Sequence, residues 1–176
     1  VTLVKNSDSI LPFRRPDTLK MASVAIGVRN KQAFQKALDF YHKMPHFQIG
    51  KNPTEKQRKK LLKNLKPFDR VILSVHNTSS YPFKNFGITD AEADLLDTIA
   101  AQNNAILDIF GIPYTLKRLI NPERFESILI SYEDRKVFQE VSGQVIFGGL
   151  PALGKLPVTA DSLYPVGKGL HTQKIR

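Results

Sequence analysis

Four short apolar runs punctuate the chain: Met21–Val28 (MASVAIGV), Val71–Val75 (VILSV), Ala105–Phe110 (AILDIF) and Ile128–Ile130 within Ser127–Ser131. Each is too short for an ordinary helix, so each predicts a strand buried on both faces, the pattern of a parallel sheet. Phe47–Ile49 adds a shorter strand. Between these runs the apolar positions recur at helical spacing. Asn30 is placed to cap a helix whose inner stripe is Phe34, Ala37, Leu38 and Tyr41. Thr54 and Gln57 form a capping box for a basic helix with Leu61, Leu62 and Leu65 inside, ended by Pro67. Thr89 and Glu92 open another, with Leu95, Leu96 and Ile99 inside. Pro113 suits the first position of a short helix bearing Leu116 and Leu119. A last helix carries Val137, Phe138, Val141, Val145 and Ile146. Gly148 and Gly149 stop it, and Pro151 prevents its resumption. Leu156–Val158 then reads as a return strand closing a βαβ unit.

Strands alternating with helices define an α/β fold. The expected form is a mainly parallel sheet with helices on both faces, an α/β sandwich of the flavodoxin-like kind. Residues 1–160 form one domain in this reading. Residues 161–176, DSLYPVGKGLHTQKIR, lack any period and read as a tail or a linker to a following domain.

Composition narrows the function classes. With 176 residues the chain is long enough to bury a sizeable core. It has no cysteine, which excludes disulfides and thiolate sites. Its four histidines lack metal-binding spacing, so no metal site is expected. No apolar run approaches the roughly 20 residues of a membrane span. The first strand-to-helix turn, GVRN, is not GxGxxG, and neither a phosphate-cradling loop motif nor a GxSxG elbow is present. No cofactor is expected. The net charge of +10 has its densest source in Lys56, Arg58, Lys59, Lys60, Lys63 and Lys66. Without aromatic stacking residues beside it, this stretch reads as a solvated helix face rather than a nucleic-acid surface.

Ligands in open α/β sheets sit beyond the carboxyl ends of the strands. Two polar loops fall there. One, His76 to Ile88, is far longer than the typical ~2–6 residues of such loops. The other is Ser131-Tyr132-Glu133-Asp134. His76, Asn77, Tyr81, Glu133 and Asp134 are therefore the candidates for contact with a substrate or an interface. Each also has a structural alternative: His76 and Asn77 as loop caps, Glu133 and Asp134 as favourable charges at a helix start. Glu133 and Asp134 are adjacent and point apart, so by themselves they make a poor pair of catalytic carboxylates.

Several motifs resemble one family. QVIFGGLPALGKLPVT (144–159) is similar to the end of the second domain of glycoside hydrolase family 3. There a helix ends in a Phe-Gly pair and leads into a Gly-Lys/Arg-Leu-Pro-Val-Thr run. TLVKN followed by ILPF resembles that domain's opening, and AILDIFGIPYTL resembles its strand-Gly-x-Pro-Tyr-x-Leu segment. The resemblance runs from about residue 2 to about residue 159. It implies an N-terminal (β/α)8 barrel in the same polypeptide, holding the Asp nucleophile, and a glycan substrate. The β-glucosidase-like branch carries a Pro-Gly-x-Glu-Gly-Gly run before the last helix, where residues 131–140 read SYEDRKVFQE. That departure implies the β-N-acetylhexosaminidase-like branch, whose acid/base lies in the barrel, so the resemblance implies no catalytic residue in this chain. The tail VGKGLHTQKIR resembles a junction into a β-lactamase-like domain, and such fused members imply an extracytoplasmic, envelope-associated location. The alternatives are a β-glucosidase-like member and a non-catalytic module that binds a ligand or a protein.

Overall fold

The apolar runs become the inner strands of one six-stranded sheet in the computed structural model, which describes residues 1–175. The strands are β1 (Thr2–Asn6), β2 (Met21–Ile26), β3 (His46–Ile49), β4 (Arg70–Val75), β5 (Ala105–Ile109) and β6 (Ser127–Ile130). Their spatial order is β1-β6-β5-β4-β2-β3. β3, β2, β4, β5 and β6 run parallel, and β1 lies antiparallel on β6. Without β1 the order is the flavodoxin-like 2-1-3-4-5, and its switch point falls between β2 and β4.

Four α-helices cover both faces among the described residues: α1 (Ala33–Leu38), α2 (Glu55–Leu65), α3 (Asp90–Gln102) and α4 (Lys136–Phe147). Leu65 of α2 and Leu95, Leu96 and Ile99 of α3 pack on Val71, Leu73, Val75, Leu107 and Ile109. Each such aliphatic side chain removed from water is worth about 1.5–3 kcal/mol. On the opposite face Phe34 and Leu38 of α1 join Val145, Ile146 and Phe147 of α4 over Met21, Ile72 and Ile106. Both expected capping boxes close, Thr54 with Gln57 and Thr89 with Glu92. Leu61 and Leu65 of α2 are buried, Leu62 is half-buried, and the lysines of that helix are exposed.

Four details differ from the sequence reading. The opening segment supplies a strand, β1, with a bulge between Leu3 and Lys5. The cap of α1 is Gln32, not Asn30: Gln32 and Gln35 exchange side-chain and backbone hydrogen bonds, and the Asn30 carbonyl accepts from Gln32. The inward face of α4 is Gln139, Ser142, Gly143, Val145 and Ile146, while Val137 is 58% exposed. The helix turns this way because polar groups on the sheet lie beneath it. Gly143 also lets α1 approach, since a Cβ there would stand 2.9 Å from that of Ala37. Finally, Leu156–Val158 does not join the sheet, because β1 already occupies the edge beside β6. Leu156 exchanges backbone hydrogen bonds with Gly167 and Lys168 instead.

Residues 161–175 lie back on the body. Tyr164 is buried, the Leu170 amide donates to the Leu3 carbonyl at 2.7 Å, and the Ile175 amide donates to Gly148 at 2.9 Å. The segment thus covers part of the open edge of β1. Gly148 ends α4 in the left-handed conformation at φ 77°, as a helix-terminating glycine should.

Candidate functional site

The alternation of β4 sends Ile72 and Ser74 to the α4 side of the sheet, and His76 follows them just past the strand end. His76 is wholly buried, stacked on Phe110 with ring centroids 4.9 Å apart. Its Nδ1 lies 2.8 Å from Oδ1 of Asp134, and its Nε2 lies 2.9 Å from Ser74 Oγ. A carboxylate only accepts, so Nδ1 carries a hydrogen; in the neutral ring Nε2 then accepts from the Ser74 hydroxyl. Asp134 is saturated from three sides. Its Oδ1 also accepts from Gln139 Nε2 at 2.7 Å, and its Oδ2 accepts from the Asn77 amide at 2.9 Å. Burial pushes the Asp134 carboxyl up, but hydrogen bonds from His76, Asn77 and Gln139 and the nearby His76 outweigh it and hold it below the ordinary range.

Serine, histidine and aspartate here stand in the order of a hydrolase triad. Ser74 is 1% exposed, however, and its hydroxyl lies under α4, where no substrate reaches it. The arrangement braces two loops instead. It ties the loop after β4 to the loop after β6. Asn77 extends the brace across the switch point: with φ at 54°, its Nδ2 donates to the Gly27 carbonyl at 2.8 Å. Asparagine tolerates that backbone better than most residues. Gly27, at φ 86°, is required there, since a Cβ would lie 2.6 Å from the His76 carbonyl oxygen. Lys51 donates to the Asn77 carbonyl at 2.6 Å, and Thr78 donates to the Phe110 carbonyl at 2.7 Å.

A second carboxyl lies deeper. Asp108 of β5 is fully buried and accepts from Ser131 at 2.8 Å and from Ser142 of α4. Burial pushes its carboxyl up to about 6, against the hydrogen bonds of both hydroxyls. Sealed under α4, it meets no solvent.

His76, Asn77 and Asp134 therefore meet in one cluster. Glu133 and Tyr81 do not join it. The Glu133 carboxylate pairs with Arg135 at 3.1 Å, beside a shallow depression of about 350 Å³. Tyr81 is 55% exposed at the tip of its loop, its ring 5.3 Å from that of Phe83. Sequence reasoning missed Ser74, Asp108, Gln139 and Ser142. The one available signal was Asp108, a lone carboxylate inside the apolar run AILDIF, which is affordable only with buried partners. Among the described residues no three His, Asp or Glu side chains converge as a metal site would require. Among the described residues no helix is long and apolar enough to cross a membrane.

No family model and no curated protein matches this chain's sequence. Solved structures do match its fold. A fungal multi-domain family 3 β-N-acetylglucosaminidase containing a GCN5-related glucosamine N-acetyltransferase region is 19% identical, at a TM-score of 0.71 over 94% of this chain. A family 3 β-N-acetylglucosaminidase from Paenibacillus sp. is 16% identical, at 0.70 over 90%. A β-glucosidase from Listeria innocua is 12% identical, at 0.69 over 88%. The chain spans 18%, 30% and 24% of those three proteins. Its α/β fold is thus one found as a part of glycoside hydrolases, including members of family 3, the family that its motifs resemble. N-acetylglucosaminidases and a glucosidase share the fold equally well, so the fold does not distinguish their substrates.

Proposed function

We propose that this chain is the second, α/β domain of a family 3 glycoside hydrolase that cleaves terminal N-acetylhexosaminides. It packs beside an N-terminal (β/α)8 barrel of the same polypeptide, which brings the nucleophile and the acid/base. The domain is a scaffold and supplies no catalytic residue. One observation carries this reading: the loop after β6 offers no pair of available carboxylates. Both oxygens of Asp134 are engaged within the fold, which leaves Glu133, beside Arg135, alone. Retaining cleavage requires two carboxyl groups about 5–5.5 Å apart across the scissile bond. His76, Asn77, Tyr81, Glu133 and Asp134 serve as braces, interface contacts or substrate contacts. A β-lactamase-like domain follows residue 176, and the whole enzyme works outside the cytoplasm.

The test is hydrolysis of nitrophenyl N-acetylglucosaminide and nitrophenyl glucoside. The 176-residue chain alone should turn over neither. Activity on the N-acetylglucosaminide should appear when a family 3 barrel is restored upstream, and should survive Glu133→Gln. Turnover by the isolated chain that vanishes with Glu133→Gln would overturn the scaffold reading. Preference for the glucoside in the restored enzyme would move it to the β-glucosidase-like branch.

A further inference from the structure

A crevice of about 960 Å³ opens on the far side of Asn77 from the His76–Asp134 brace. It lies at the carboxyl ends of β2 and β3, beside the switch point of the sheet. α2 forms one wall. Gln57, Lys60, Leu61 and Asn64 recur at i, i+3, i+4 and i+7, so one helical stripe faces the opening. Leu61 is the buried floor of that stripe, and the other three are polar. The opposite wall carries Arg29 and Lys51, with Asn30, Asn52 and Gln48 between.

The lining contains no aspartate and no glutamate. Elsewhere on α2, Arg58 meets Glu55 and Asp94 and Lys59 meets Glu55, while Lys56 and Lys63 stand in solvent away from the crevice. Lys60, which faces the crevice, and Arg29 across from it belong to no ion pair among the described residues. Lys51 is already anchored on the carbonyls of Asn77 and Gly87, which fixes its ammonium at the crevice wall. Glu92 lies behind Lys51 and offsets that cation, so the positive charge that faces the opening is that of Arg29 and Lys60, and it favours an anion entering between them. Side-chain amides beside those cations match a ligand with many hydroxyl groups.

We propose that this crevice binds an anionic saccharide, a sugar bearing a phosphate or a carboxylate. The acidic group lies between Arg29 and Lys60, and the hydroxyls meet Asn30, Gln57 and Asn64. The proposal rests on the crevice alone and stands whether or not the chain belongs to a family 3 enzyme.

The experiment is titration of the 176-residue chain, followed by calorimetry and amide chemical shifts. The probes are glucose 6-phosphate, glucuronate, inorganic phosphate and glucose. At least one charged sugar should bind saturably at one site, with shifts centred on residues 27–30, 48–53 and 57–64. The phosphate and glucuronate arms decide which acidic group is preferred. Arg29→Gln or Lys60→Gln should weaken binding at least tenfold. Lys56→Gln combined with Lys63→Gln, on the same helix but outside the crevice, should leave it unchanged. Equal weakening by that control pair would overturn the proposal, because attraction would then follow net charge alone. So would inorganic phosphate binding as tightly as the sugar, or glucose binding as tightly as glucose 6-phosphate. Absence of saturable binding by both charged sugars would also overturn it.

Discussion

The two faces of the sheet are built on different principles. The face under α2 and α3 is a continuous aliphatic layer, with Leu73, Val75, Leu107, Ile109 and Ile99 all sealed from solvent. The face under α1 and α4 is apolar at one end only. Toward the carboxyl ends of the strands it carries Ser74, His76, Asp108 and Ser131, met from above by Gln139 and Ser142. A second polar knot lies under α1, where Ser23 joins Gln35 at 3.0 Å and His46 at 2.6 Å, and His46 reaches Asp39 at 3.0 Å. The first face gains its stability from area removed from water, which is tolerant of detail. The second depends on partners being present, because a buried polar group left alone costs far more than a satisfied one contributes. That asymmetry places positional specificity beside the site and bulk stability behind it.

The contrast can be broken in four ways, from the largest effect down. Leu73→Ala, in the middle of the aliphatic face, should cost about 2–5 kcal/mol in urea unfolding. A loss below about 1 kcal/mol would mean that this layer is not tightly packed. Asp108→Asn tests the polar face through pH. The Asp108 carboxyl is raised from its ordinary 3.8 to about 6, so the folded state holds its proton more firmly than the unfolded chain does. Its contribution is therefore fully present below about 4 and fades as pH rises through about 6, in all roughly 3 kcal/mol. Relative to Asp108→Asn, the unaltered chain should lose stability by about that amount between pH 4 and pH 7. Parallel curves for the two proteins would show that Asp108 does not titrate as described.

Asp134→Ala should cost about 1–3 kcal/mol, because His76, Gln139 and the Asn77 amide all lose their acceptor. Its pH dependence runs opposite to that of Asp108. The Asp134 carboxyl is lowered, so its contribution is present above the ordinary carboxylate range and disappears as pH falls below it. Calorimetric unfolding of this variant beside the unaltered chain should show a smaller deficit at pH 3 than at pH 7. The smallest effect belongs to the solvated side of α2. Lys56→Ala and Lys63→Ala, both exposed, should each change stability by less than about 0.5 kcal/mol. A larger change would give that basic surface a role in the fold.

Much of this architecture is determined by the sequence itself. Continuous apolar runs of four to eight residues have few destinations other than parallel strands buried on both sides, and helical periodicity between them dictates the crossover helices. The capping boxes at Thr54 and Thr89 are local chemistry, so they could be read locally. Asn77 and Asp134 could be singled out because polar groups cluster at strand ends. Tertiary structure alone decided the rest. Which residues of α4 face inward depended on Asp108 and His76, side chains brought beneath the helix by strands distant in sequence. The place of Leu156–Val158 depended on β1 having already filled the edge beside β6. Ser74 and Asp108 sit within apolar runs and look like exceptions until their partners, 2, 23 and 34 residues away, arrive through folding. Periodicity reports the environment of a residue's neighbours along the chain. A buried hydrogen bond is a property of two elements at once, and only their packing brings its donor and acceptor together.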